Sequence, residues 1–223
     1  MADMTIGLLD VERRPDADGR EDVRLVTDRG AIVCRRHPAG RGDVAALWVF
    51  GSGGGLGGPA GGVYARLGRR LREDGIASLE LAYRRPAHLA ECVADVAVGM
   101  AWLRSEGRRR LILVGHSFGG AVVLNAAALS DAVVGVAALS SQTAGVGDVA
   151  ALSPKRLLFL HGEADEILPA ACSRRLFARA REPKKLILYP GCRHGLDQCR
   201  DRLDEDLTRW IESRAAEARA DGF

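Results

Sequence analysis

The chain has 223 residues, 47% of them hydrophobic and 27% charged, with a formal net charge of +3. That length holds one domain with a full core and leaves little room for a second. The small charge is arginine scattered among acids, which does not by itself predict nucleic-acid binding, so no nucleic-acid partner is expected, and no run of about 18 apolar residues offers a membrane span.

Residues 1–10 carry acids and no apolar stretch long enough for a signal peptide. Two short apolar runs, 23–26 and 31–34, flank Thr27-Asp28-Arg29-Gly30, whose Asp and Gly suit a turn, so they read as a hairpin. The pattern then changes. Residues 45–50 are apolar without a break and end in glycines, as in a strand buried on both faces. Residues 64–73 have helical spacing, with Leu67 and Leu71 on one face and Gly75 as a stop. Residues 76–82 form the next strand. Residues 89–103 repeat Val93, Val96, Met100 and Leu103 at helical intervals. Strand 111–114 and an alanine-rich helix 121–129 follow. Further on come strand 133–139, strand 157–160, helix 170–180, strand 186–189 and helix 203–218, with fraying expected from about Ala216. Strands that alternate with helices become parallel strands with helical crossovers. The expected architecture is therefore a single α/β domain over 1–223, a three-layer α/β/α sandwich with a mostly parallel central sheet. The hairpin adds antiparallel strands at one edge, and residues 1–20 and 216–223 are peripheral.

Strand 111–114 runs into Gly115-His116-Ser117-Phe118-Gly119-Gly120, and a helix follows at once. A GxSxG serine at a tight strand-to-helix turn exposes its oxygen above the sheet edge, beside the free N–H groups of the helix N-terminus. A serine hydroxyl needs a base to take its proton, and the base needs an orienting carboxylate. In turns of this type the acid and then the histidine follow along the chain. Strand 157–160 leads into His161-Gly162-Glu163-Ala164-Asp165, and strand 186–189 into Pro190-Gly191-Cys192-Arg193-His194. Ser117, Asp165 and His194 are thus the candidate nucleophile, acid and base, all at carboxyl ends of strands. Glu163 and Glu166 are rivals for the acid. His116, His161, His37 and His88 are less well placed for the base, and no histidines are paired at metal-ligand spacing, so neither a metal nor another cofactor is expected.

The loop Phe50-Gly51-Ser52-Gly53-Gly54-Gly55 follows strand 45–50. A tetrahedral oxyanion needs two N–H donors. One would come from Phe118, the other from this loop, from Ser52 or else Gly51 or Gly53. The same glycines satisfy GxGxxG over 53–58, and Glu80 lies where a ribose-binding acid would be sought, so a dinucleotide site is the rival reading. Tyr83, Arg84 and Arg85 follow strand 76–82 at the same edge and could hold a substrate carboxylate or phosphate.

The five cysteines, Cys34, Cys92, Cys172, Cys192 and Cys199, form an odd set without a CxxC pair. That is neither a disulfide framework nor a zinc pattern, and reduced thiols in a cytoplasmic protein are expected. No feature of the sequence reports an oligomeric state.

With these residues in view, the chain resembles the serine α/β-hydrolase superfamily, in particular its compact dienelactone-hydrolase-like and prolyl-oligopeptidase-like esterase branches. The resemblance rests on residues 115–119, 161–165 with Pro169, 191–194 and the glycine loop, and spans about residues 20–213. It implies the α/β-hydrolase fold, the triad roles for Ser117, Asp165 and His194, and the oxyanion role for Phe118 with the Gly51 loop. Dienelactone hydrolases proper carry a cysteine nucleophile where this chain has Ser117, and many relatives begin the loop His-Gly where it has Phe50-Gly51. Segment 140–154, where relatives insert a helical lid, is a short Ala/Gly/Ser/Thr stretch, so an open site with little or no lid is expected. The expected activity is hydrolysis of a small-molecule ester or thioester. Acyl transfer to another acceptor and ligand binding without catalysis are the alternatives on the same fold.

Overall fold

A strand between two helical layers must be apolar on both faces, and the run Val44–Val49 is buried at every residue. Its side chains divide by parity: Ala45, Leu47 and Val49 join one core, and Val44, Ala46 and Trp48 the other. The computed structural model describes residues 6–16, 18–40 and 42–220, with side chains to residue 217. The expected readings for residues 1–5 and 221–223 lie outside the described residues.

The strands are β1 (Leu8–Pro15), β2 (Glu21–Thr27), β3 (Gly30–His37), β4 (Val44–Val49), β5 (Ala77–Ala82), β6 (Arg110–His116), β7 (Val133–Leu139), β8 (Arg156–Gly162) and β9 (Lys184–Tyr189). They form one 9-stranded sheet in the order β1-β2-β3-β5-β4-β6-β7-β8-β9. The first three are antiparallel, with the hairpin register Thr27↔Gly30, and β3 meets β5 antiparallel. From β5 to β9 every pairing is parallel. The helices are α1 (Pro59–Leu71), α2 (Leu89–Ser105), α3 (Phe118–Ala127), α4 (Ala171–Arg179) and α5 (Arg200–Ala220). Leu67 and Leu71 of α1 share a core with Leu203, Leu207 and Ile211 of α5. Val96 of α2, Val122 of α3 and Leu176 of α4 line the opposite core. The three-layer α/β-hydrolase architecture is the one expected. Segment 140–154 holds only a one-turn 3-10 helix, Val149–Leu152.

The differences from the sequence reading are local. Strand β1 escapes periodicity because nearly all of its side chains are exposed, so no apolar alternation marks it. Helix α1 begins earlier than expected, but Ala60, Gly61 and Gly62 are left-handed (φ 51, 61 and 91), so regular spacing starts only after them. Helix α5 continues to Ala220, past the point of expected fraying.

A buried ion cluster fastens the end of β5 to α2. Asp95 is fully buried; its carboxylate accepts the Arg84 backbone N–H at 2.9 Å and pairs with the Arg84 Nε. The same guanidinium reaches Glu91 at 3.0 Å and the Arg29 carbonyl at 2.9 Å, and its side chain is 5% exposed. Removing one partner of such a pair strands a charge in a low dielectric. Arg84→Met is therefore expected to lower stability by about 3–5 kcal/mol, read as a shift in the urea midpoint at an unchanged slope.

Candidate active site

The serine turn is built by close approach. A Cβ on Gly115 would overlap the Gly119 carbonyl, and one on Gly119 would overlap the Phe50 carbonyl. Only glycine fits at either position, and Ser117 between them is held at φ 58, ψ −119, a conformation that a non-glycine residue adopts under strain. Its backbone N–H donates to the Leu139 carbonyl at 2.8 Å, which ties the turn to β7. Ser117 is half-buried. Phe118 opens α3, so its N–H has no partner within the helix.

The loops after β8 and β9 meet at a carboxylate. His194 Nδ1–H donates to Asp165 Oδ2 at 2.8 Å. Asp165 Oδ1 accepts the N–H groups of Ile167 (2.9 Å) and Leu168 (2.8 Å). The Asp165 side chain is fully buried and that of His194 is 16% exposed. Burial pushes the Asp165 carboxyl up, but the bond from His194 and the Leu168 and Ile167 N–H groups outweigh it and hold the group below the usual carboxylate range. The rival acids are engaged elsewhere: Glu163 pairs with Arg174 at 3.1 Å, and Glu166 accepts the His194 backbone N–H at 3.3 Å and faces Arg193 at 3.4 Å.

Two histidines that sequence reasoning set aside support this arrangement. His116, one residue before the serine, donates from Nε2 to the His194 carbonyl at 2.9 Å, and the two rings lie 4.8 Å apart. Burial drives the His116 pKa down to about 4, so it is a neutral donor. His161 is fully buried; its Nδ1 meets the Ser173 hydroxyl at 2.7 Å, and its Nε2 lies 2.9 Å from the Leu168 carbonyl and 3.0 Å from Asp165 Oδ2. Burial lowers its pKa as well. Ser173, His161 and Asp165 imitate a triad, but Ser173 is 0% exposed and no substrate reaches it. The structure brings Asp165 to His194, and joins Ser117 to the His194 loop through His116. Among the described residues the Ser117 hydroxyl has no hydrogen-bonding partner. The only signal for His116 and His161 was their place at the carboxyl ends of β6 and β8.

The glycine loop lies beside the serine: a Cβ on Gly51 would stand 3.6 Å from Ser117 Cβ. The Gly51 carbonyl accepts the Gly54 N–H at 2.9 Å, which makes 51–54 a tight turn around Ser52 and Gly53. Glu80 is fully buried within β5, accepts the Gly57 N–H at 2.7 Å and meets His37 Nε2 at 3.1 Å. It anchors the loop to the sheet and is closed to a ribose, which removes the support for a dinucleotide site. The substrate-binding reading of Tyr83 and Arg84 is likewise corrected. Arg84 is consumed by Asp95 and Glu91. Tyr83 is 6% exposed and its hydroxyl donates inward to the Phe50 carbonyl at 3.1 Å. Arg85 is exposed.

The thiol expectation is corrected too. Cys192 and Cys199 form a disulfide with Cα atoms 5.8 Å apart, closing the loop that carries His194. Their spacing matches no common motif, and their meeting follows from the one-turn 3-10 helix Asp197–Cys199 folding back. Cys34, Cys92 and Cys172 are free. A cytoplasmic location loses the support it drew from five reduced thiols. Among the described residues no helix is long and apolar enough to cross a membrane, and no group of three or more His, Cys, Asp or Glu could hold a metal ion.

Comparison with known proteins bears on the family and the fold. Residues 60–221 match the Dienelactone hydrolase family. An uncharacterized protein of Escherichia coli K12, YfhR, is 32% identical over 117 residues, which cover 42% of this chain and 41% of the relative. The chain thus spans well under half of that curated relative. Among solved structures, Est1E from Butyrivibrio proteoclasticus superposes with a TM-score of 0.72 at 16% identity, covering 93% of this chain and 100% of the other. The esterase domain of a Rhodothermus marinus protein gives 0.66 at 18% identity, covering 94% and 98%. At these identities the two structures speak for the fold alone.

Two outcomes follow from this geometry. His116 binds its proton at about pH 4 in the fold and near 6.5 when unfolded. The unfolded chain therefore holds more protons between those values, and stability falls as pH drops through that window. His116→Gln is expected to reduce the loss between pH 6.5 and 4 by roughly 3 kcal/mol, measured by urea unfolding across pH. Replacing Cys192 and Cys199 together by serine opens a loop of sequence separation 7. It is expected to remove about 2.5 kcal/mol of stability from loop closure, seen as a lower melting temperature; an unchanged one would count against the bond.

Proposed function

The chain belongs to the dienelactone hydrolase family, and on that premise we propose that it is a serine hydrolase that cleaves a carboxylic ester or thioester through an acyl-enzyme. The reading is carried by one observation: Ser117 is presented in a strained turn at the carboxyl end of β6, and the His194–Asp165 couple is held over the same sheet edge.

In this mechanism His194, oriented by Asp165 through Nδ1, accepts the Ser117 proton at Nε2 as Oγ attacks the carbonyl carbon. The carbonyl oxygen becomes an oxyanion held by the Phe118 N–H and an N–H of the Gly51–Gly53 loop, with Ser52 the favoured donor. As the tetrahedral centre collapses, the bond to the leaving oxygen or sulfur breaks, and His194 returns its proton to that atom. Water then repeats the sequence: His194 deprotonates it, its oxygen attacks the acyl carbon, and Ser117 leaves with the proton. Asp165, kept ionised by its donors, stabilises the imidazolium at both stages. No step calls on a cofactor. The short segment 140–154 leaves the site open, which favours short acyl groups or an ester exposed on a larger partner. Arg85 remains the candidate contact for an anionic substrate group.

A fluorophosphonate probe is expected to label the protein and to fail on Ser117→Ala. Over a panel of short-chain p-nitrophenyl esters and acyl thioesters, kcat of Ser117→Ala should fall by about 10⁴ or more with the fold intact. Labelling or turnover that survives the substitution would refute the assignment.

A further inference from the structure

The oxyanion needs donors already aimed before it forms, since reorganising them during the reaction gives back the benefit. In a glycine-rich loop nothing intrinsic to the chain sets that aim, because glycine backbones rotate freely. A trans peptide, however, carries its N–H opposite its carbonyl, so whatever pins one pins the other.

The carbonyls of this loop are pinned in succession. The Tyr64 hydroxyl, fully within the core, donates to the Val49 carbonyl at 2.8 Å. The Tyr83 hydroxyl donates to the Phe50 carbonyl at 3.1 Å. The Gly51 carbonyl accepts from Gly54 within the turn. The Phe50–Gly51 plane, which carries the Gly51 N–H, is thus fixed by a side chain from β5's end. The same tyrosine ring packs edge-on against Phe118, centroids 6.1 Å apart at 90°, and Phe118 is the residue expected to give the other donor. One buried side chain therefore touches both arms of the expected oxyanion hole. It is held as a donor: burial keeps its hydroxyl protonated, with a pKa far above the usual tyrosine range.

We infer that Tyr83 is a positioning residue for the oxyanion hole: it sets the peptide plane that carries the Gly51 N–H, taken here as the loop's donor in place of Ser52, and braces Phe118 across from it. The inference rests on the serine-hydrolase reading above and goes beyond it. Tyr64 supplies the comparison, since it pins the preceding carbonyl, whose plane carries the Phe50 N–H, while the Tyr64 oxygen also meets the His116 backbone N–H.

The test compares Tyr83→Phe and Tyr64→Phe with the parent enzyme. Turnover is counted per site titrated by a fluorophosphonate burst, so any loss of folded protein drops out. Tyr83→Phe is expected to lower kcat roughly tenfold, less than the 10²–10³ of deleting a donor outright, with KM within about twofold. The Ki of a trifluoromethyl ketone, whose serine adduct carries the oxyanion, should rise by the same factor. Tyr64→Phe should lower the melting temperature while kcat stays within about twofold of the parent's. An unchanged kcat and Ki in Tyr83→Phe, or an equal fall in both variants, would overturn the positioning role and leave the serine reading standing. A parent protein that fails to label would overturn both.

Discussion

The site depends on one contact without side chains: the Cα of Gly119 lies against the carbonyl of Phe50. It brings the first turn of α3 down onto the end of β4, so the serine turn and the glycine loop become neighbours. Any larger residue at 119 would lift the helix off the strand and separate the serine turn from the glycine loop. The strain in Ser117 follows from the same approach, because the chain must reverse from β6 into α3 within one residue. Packing of the buried faces of β4, β6 and α3 supplies the free energy that holds that conformation.

Around this contact the polar groups are arranged so that charge resides in few places. Asp165 is buried, yet its donors hold it ionised. His116 and His161, both beside it or beside His194, are driven neutral by burial and act as fixed donors. His194 is left as the histidine of this group with a partly exposed ring, bonded to Asp165 at Nδ1. In the proposed mechanism one imidazole gains and loses a proton while its neighbours do not compete.

Much of this was legible in the sequence because the parallel strands are buried on both faces. Their apolar runs, each followed by a loop, mark the carboxyl edge where Ser117, Asp165 and His194 stand. What could not be read depends on distances across the sheet. Arg84 and Arg85 are adjacent and alike in sequence, but they point to opposite fates: one turns inward to Asp95, eleven positions on in α2, and the other stays exposed. Glu80 sits inside a strand, where a carboxylate reads as an error until the Gly57 N–H and His37 are found around it. Strand β1 was invisible because an exposed edge strand has no face to write an alternation. The Cys192–Cys199 bond depends on a short backbone fold that their spacing does not announce.

The neighbouring trio Ser173, His161 and Asp165 separates composition from function. It shares its acid with His194, and its contacts are as short as those proposed to act: 2.7 Å from hydroxyl to imidazole and 3.0 Å from imidazole to carboxylate. Ser173 nevertheless lies within α4 at 0% exposure, whereas Ser117 occupies a strained turn and is only partly buried, at the N-terminus of α3. A nucleophile requires an approach path for the carbonyl and donors for the oxygen it creates. The buried serine has neither. Its hydroxyl instead fixes the His161 ring, and through it the carboxylate on which His194 turns. The same three residue types therefore serve as scaffold in one place and, in the proposed reading, as catalyst a few ångströms away, and access together with backbone geometry decides which.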